Sequence, residues 1–182
     1  MIPTFDFNNI LNSVASSNKP PLHLWNPELS GDIDITIDEQ GVWRHCGDIF
    51  KRAQIPNLFS RILCKEAGEY YLKTPVEKWR ISVADVPFYF IHFEKLQKND
   101  TQVLSFVSLN EDVIELSDTH PLRVSINTDT HEPCPYIHVR DGMEGKLSRN
   151  LFYQLIDIAI NDEQQQRLYL QSHGSRFLLG AY

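Results

Sequence analysis

The chain is expected to fold as an α+β protein of two structurally similar halves. Each half is an antiparallel β-sheet with one packed α-helix, in an internal β-β-α-β repeat. Two short apolar segments open on the same tripeptide: Asn57-Leu58-Phe59 leads into Ser60-Arg61-Ile62-Leu63, and Asn150-Leu151-Phe152 leads into Tyr153-Gln154-Leu155-Ile156. Each follows a strand-like run and a glycine, and each precedes another strand, Tyr70-Tyr71-Leu72 or Leu168-Tyr169-Leu170. Such self-similarity constrains architecture before any detail is read. Size agrees: 182 residues with 42% hydrophobic and 11% aromatic content suffice for one domain, or for two small ones.

The elements follow in order. Phe7, Ile10, Leu11 and Val14 lie at helical spacing, so an amphipathic helix is expected over residues 5–14, with Ser16 to Pro21 as a linker. Asp32-Ile33-Asp34-Ile35-Thr36-Ile37-Asp38 alternates strictly, as a half-buried strand requires. Glu39-Gln40-Gly41 turns it, and Val42-Trp43-Arg44-His45 pairs back as a hairpin. A helix then starts near Ile55-Pro56, buries Leu58, Phe59, Ile62 and Leu63, takes in Cys64 and ends at Glu66-Ala67-Gly68-Glu69. Strands are expected at Tyr70–Leu72, Trp79–Val83 and Phe88–Phe93, with a corner at Thr74-Pro75.

The polar stretch from Leu96 to Thr101 reads as the boundary between halves. The organisation is therefore residues 1–21 as N-terminal helix and linker, 22–96 as the first half and 97–182 as the second. In the second half Val103–Val107, Leu122–Ile126 and Tyr136–Arg140 are strand-like, while Asp129 to Pro135 reads as a loop because of its prolines. Ser148 caps the second helix, and Leu168–Leu170 with Arg176–Leu179 forms a hairpin around His173-Gly174.

Composition excludes several functions. A formal net charge of -7 argues against nucleic acid, which needs a basic surface. No run is long enough to span a bilayer, and the N-terminus lacks the pattern of a signal peptide. Three cysteines, Cys46, Cys64 and Cys134, give neither a disulfide framework nor a zinc pattern, which fits a reducing cytoplasm. No histidines stand at ligand spacing on a helix, so neither a metal nor a cofactor is expected. Alternate strand carboxylates such as those of Asp32 and Asp34 lie about 7 Å apart, too wide for one ion, and with Asp38 they protect an exposed sheet face. The neighbours Ser172 and His173 point to opposite faces and make no nucleophile–base pair.

Glu77 and Asp85 stand at proline-marked corners. There a carboxylate accepts backbone N–H bonds or pairs with an arginine, Arg52, Arg140 or Arg149 being the cations near the helix entrances. With Trp43, these five residues occupy comparable places in the two copies and form the candidate ligand-binding set; no catalytic residue is assigned.

The block Gly41-Val42-Trp43, Arg52, Leu58-Phe59-Ser60, Tyr70-Tyr71-Leu72, Thr74-Pro75-Val76-Glu77-Lys78, Ile81-Ser82-Val83 and Asp85-Val86-Pro87-Phe88 resembles the bacterial domain-of-unknown-function family 1285. His120-Pro121-Leu122-Arg123, Pro135-Tyr136-Ile137, Val139-Arg140-Asp141-Gly142, Arg149, Tyr153 and Ser172-His173-Gly174 extend the resemblance through the second half. It covers nearly the whole chain from Pro20, with Gln40 departing from the Asp-Gly turn expected before Gly41. The resemblance implies a small cytosolic protein with two similar halves and a signalling or regulatory role, and it brings no catalytic residues. The expected function is therefore a non-enzymatic module binding a small molecule or protein between its halves. A small enzyme with Glu77 or Asp85 as general base in that groove is the alternative, and a homodimer through a sheet edge is compatible with either.

Overall fold

The computed structural model describes residues 20–181, so the helix expected over residues 5–14 lies outside the described residues. The chain divides into two compact units, the first ending at Asp85 and the second beginning at Val86. The boundary expected after residue 96 is thereby corrected. That polar stretch is a hairpin turn inside the second unit. Asn99 and Asp100 both take positive φ there, 47° and 59°. These residue types tolerate the left-handed region that a tight hairpin demands.

The first unit opens with a short 3-10 turn, Leu22–Leu24, and runs β1 (Leu29–Ile37), β2 (Trp43–His45), β3 (Asp48–Ile49), α1 (Gln54–Ile62), β4 (Leu63–Glu66), β5 (Glu69–Lys73) and β6 (Lys78–Val83). The expected β1–β2 hairpin is present. Its Asp38 carboxylate accepts the N–H groups of Gln40 and Val42, each at 3.0 Å, so this acidic residue serves the turn. Helix α1 is shorter than expected: Leu63 is already extended, Cys64 lies on β4, and Ala67-Gly68 turns that strand into β5.

The sheet order is β3-β2-β1-β6-β5-β4. Neighbours are antiparallel except β1 and β6, which run parallel, so the sheet is mixed and not purely antiparallel. One three-strand meander runs outward from the centre, the chain crosses through α1, and a second meander runs back inward. Its core holds Ile35, Ile37, Trp43, Leu72, Trp79 and Ile81 together with Phe59 and Ile62 of the helix.

The second unit contains β7 (Phe88–Lys98), β8 (Thr101–Ser108), β9 (Val113–Glu115), β10 (Leu122–Ile126), β11 (Pro133–Arg140), β12 (Met143–Leu147), α2 (Arg149–Ile158), β13 (Ile160–Asp162), β14 (Arg167–Ser172) and β15 (Ser175–Ala181). The sheet order β10-β11-β12-β7-β8-β9 again has a parallel central pair, β12 with β7. A separate antiparallel sheet, β13-β14-β15, follows α2. Ser148 caps α2 as expected, accepting the Leu151 N–H at 3.3 Å. Pro133 and Pro135 are on β11 and not in a loop. Only β10 pairs with that part of the strand, since pairing with β12 starts at Tyr136, so the missing N–H groups cost no ladder bond.

Two similar halves, each a six-stranded mixed sheet with one helix among the described residues, are therefore what the chain forms. The repeat resides in the strands: β1 to β6 retrace the path of β7 to β12. The helices enter that path at different points, α1 between the two meanders and α2 after the second. The counterpart of Tyr70–Leu72 is consequently found on β11, whereas the expected one, Leu168–Leu170, belongs to the extra sheet. Cross-strand register makes the match residue by residue. Tyr71 faces Arg80, and Lys73 faces Lys78. Tyr136 faces Lys146, and His138 faces Glu144.

Candidate functional site

The six residues expected to bind ligand occupy separate local settings. Trp43 is a core residue, 2% exposed, with its ring 6.0 Å from that of Phe59. Its indole N–H is buried without a hydrogen-bond partner. Arg52 is exposed ahead of α1, and its carbonyl accepts the Ile55 N–H. Glu77 closes the β5–β6 turn: its N–H donates to Thr74 Oγ1 at 3.0 Å, and its carboxylate accepts the Trp79 indole N–H at 3.4 Å. Asp85 is half-buried at the end of the first unit.

Arg140 reaches Asp112 at 3.9 Å and lies 5.0 Å from the Phe88 ring centre. Arg149 opens α2, pairs with Glu132 and donates to the Tyr153 hydroxyl at 3.4 Å. The Tyr153 hydroxyl and the Glu132 charge hold the Arg149 pKa above its usual value. Arg140 and Arg149 thus engage different carboxylates.

A denser constellation lies on the face of the first sheet opposite Trp79 and Ile81. Cys64, Tyr71, Arg80 and Asp32 stand in one cross-strand row over β4, β5, β6 and β1. Lys73 and Lys78 both bond to Glu66, at 3.0 and 2.8 Å. Lys78 sits 5.1 Å and Arg80 6.0 Å from the Tyr71 ring centre, within cation–π range. Bonds from Lys78 and then Lys73 pull the Glu66 pKa down, and the Glu66 carboxylate raises that of Lys78. Lys73 is only 8% exposed, a cation kept in place by its carboxylate partner. Arg80 Nε is 3.6 Å from Asp32 Oδ1, beyond bonding reach, and makes no hydrogen bond.

In the sequence the basic residues of this cluster alternate with apolar ones, as on any solvated strand face. Its signal was the spacing Tyr71-x-Lys73 and Lys78-x-Arg80 on either side of a Thr-Pro turn, which folds both pairs onto one face.

The second sheet carries the counterpart. Arg123, Tyr136 and Lys146 stand in one row. Arg123 lies 4.2 Å and Lys146 5.9 Å from the Tyr136 ring centre. Arg123 grips Glu144 with two bonds, 2.6 and 2.5 Å. Nearby, His120 Nδ1 and His138 Nδ1 donate to the carbonyls of His138 and Thr119, at 3.0 and 3.2 Å, and the rings stack. Among the described residues no group of three or more His, Cys, Asp and Glu side chains could hold a metal ion.

The Ser172-His173-Gly174 turn is structural. Ser172, fully buried, accepts the Leu104 N–H at 3.0 Å, the His173 N–H reaches the Gln102 carbonyl at 2.9 Å, and the His173 ring meets Glu115 at 3.0 Å.

Comparison with known proteins completes the picture. Residues 20–86 match the model described as "Domain of unknown function (DUF1285), N-terminal domain", and residues 87–179 match "Protein of unknown function (DUF1285), C-terminal domain". The chain belongs to the DUF1285 family. Its domain division, between residues 86 and 87, lies one residue from the boundary between the two compact units. A solved DUF1285 protein from Silicibacter pomeroyi is 35% identical with a TM-score of 0.86, and the match covers 98% of this chain and 97% of that one. A second DUF1285 structure, from Shewanella baltica, is 26% identical with a TM-score of 0.55 over 69% of this chain and 91% of that one. No curated protein matches the chain.

Proposed function

We propose that this DUF1285 protein is a non-enzymatic binding module with a regulatory role in bacterial signal transduction, working in the reducing cytoplasm and recognising a small molecule or a protein. The observation that carries this reading is the repeated one. At the same topological place, both units hold a tyrosine ring within 6.0 Å of two cations, Lys78 and Arg80 at Tyr71, Arg123 and Lys146 at Tyr136. A framed aromatic ring offers shape and charge for recognition.

Three carboxylates, Glu77 among them, are otherwise engaged. Glu66 serves two lysines, Glu77 takes the Trp79 indole, and Glu115 holds Lys98 and His173. A carboxylate tied to cations is a poor general base, because its pKa lies far from neutrality. Three free thiols, Cys46, Cys64 and Cys134, support a reducing compartment.

The test is a thermal-shift panel of nucleotides, amino acids, organic acids and phosphorylated metabolites, run beside affinity capture with quantitative mass spectrometry. A saturable shift, or a partner enriched over a Tyr71→Ala control, supports the module. Neither appearing defeats it.

A further inference from the structure

We propose that the Tyr71 face of the first unit binds a small oxyanion, a carboxylate or a phosphate, on Lys78 and Arg80 above the Tyr71 ring. This rests on the binding-module reading and gives it a site and a ligand class. The comparison of the two units carries it. In the second unit the residue on β12 facing His138 is Glu144, and its carboxylate is held in a two-bond grip by Arg123, which stacks on Tyr136. That copy supplies its own anion.

In the first unit the equivalent residue, facing Lys73 on β6, is Lys78. The carboxylate of the second copy is replaced by a cation. Glu66 compensates in part, but one carboxylate serves two ammonium groups. Each ammonium has three donors, and the Arg80 side chain is 41% exposed, although its Nε itself is buried. Asp32, 3.6 Å from Arg80 on a side chain 73% exposed, is a loose counter-ion. Lys78 and Arg80 thus stand at a ring that supports them, with Glu66 shared between two lysines and with Asp32 and Glu69 acting on Arg80 through charge alone, on a chain whose formal net charge is -7. An oxyanion there would accept charge-assisted hydrogen bonds from Lys78 and Arg80, the stronger class of such bonds. Glu66 would compete with it for the two lysines.

The test is a titration of the full-length protein with inorganic phosphate and, separately, with succinate, at constant ionic strength, followed by amide NMR. The expected result is saturable shifts at Tyr71, Lys78 and Arg80 with none at Tyr136 and Lys146; whichever anion saturates at the lower concentration names the class. Arg80→Gln, which leaves the Glu66 bonds intact, should weaken binding about tenfold, the loss of one charged hydrogen bond. Lys78→Glu, which installs the second unit's charge, should abolish binding. Glu66→Gln should strengthen it. Shifts that do not saturate, or that spread evenly over both units, overturn the site, as does an Arg80→Gln protein with unchanged affinity. If another ligand emerges from the metabolite panel while both anions fail, the site falls and the binding module stands.

Discussion

At Gly145 a single methyl group decides the packing of β12 against β7. A Cβ built there falls 2.4 Å from one ring carbon of Phe90 and 2.9 Å from Phe88 Cβ, both core residues. Gly145→Ala is expected to cost about 1–3 kcal/mol through overpacking. Gly180→Ala, where nothing lies within 4 Å, should stay within about 0.5 kcal/mol in the same urea titration. Equal effects at the two glycines would refute the packing argument.

Glu66 belongs to this scale as well. Its pKa is depressed by Lys78 and Lys73, so the folded state holds the deprotonated form more tightly than the unfolded chain does. The stabilisation is complete above the unfolded value of 4.5 and is lost as pH falls through the lower folded value. Wild type should lose stability relative to Glu66→Gln across that acid window, read as the difference in Tm between pH 6 and pH 3.5. Parallel pH profiles would show that the lysine bonds are not formed in solution. Glu115, depressed by Lys98 and then His173, follows the same sign.

Among the elements, α1 and the β14–β15 hairpin depend on few side chains. Phe59 is fully buried and meets the rings of Trp43 and Phe50 at 6.0 and 5.8 Å. Phe59→Ala is expected to cost about 3–5 kcal/mol, measured by denaturant unfolding. Ser172 is different in kind, since its hydroxyl satisfies the buried Leu104 N–H of another sheet. Ser172→Ala leaves that donor unpaired, at about 1–3 kcal/mol. It should also speed amide exchange at Leu104 and His173 more than at Ile137, a pattern that a uniform loss of stability would not produce. The Ser-His-Gly motif was legible in the sequence as a turn. Its docking partner was not, because a hydrogen bond spanning 68 positions leaves no trace in local periodicity.

For the whole molecule, duplication and charge make separate statements. Sheet topology repeats strand for strand, yet Lys78 and Glu144 show that equivalent positions have taken opposite charges. The net charge of -7 opposes phosphate-backbone binding, so duplex DNA should not shift the protein's mobility at near-physiological salt, whereas the local cation cluster remains open to small anions. Retention of DNA at that salt would show a basic surface that composition conceals. No helix among the described residues is long and apolar enough to cross a membrane.

Local physics made part of this protein readable in advance. The Ile35/Ile37 alternation, the Asp38–Gly41 turn, the Ser148 cap and the apolar faces of both helices follow from side-chain period and turn chemistry, which act over a few residues. Two similar halves and the family resemblance were legible for the same reason. Partners beyond the hairpins were not: the parallel pairs β1–β6 and β7–β12 join segments more than forty residues apart. The shared tripeptide pointed to equivalent helices, but register aligned Tyr71 with Tyr136 and left the helices out of the repeat. The candidate site followed the same rule. Lys73, Lys78 and Arg80 are unremarkable in a list of charges. Only the hairpin register, which sets Lys78 and Arg80 against the Tyr71 ring and lets Glu66 join Lys73 to Lys78, gives them a common chemistry.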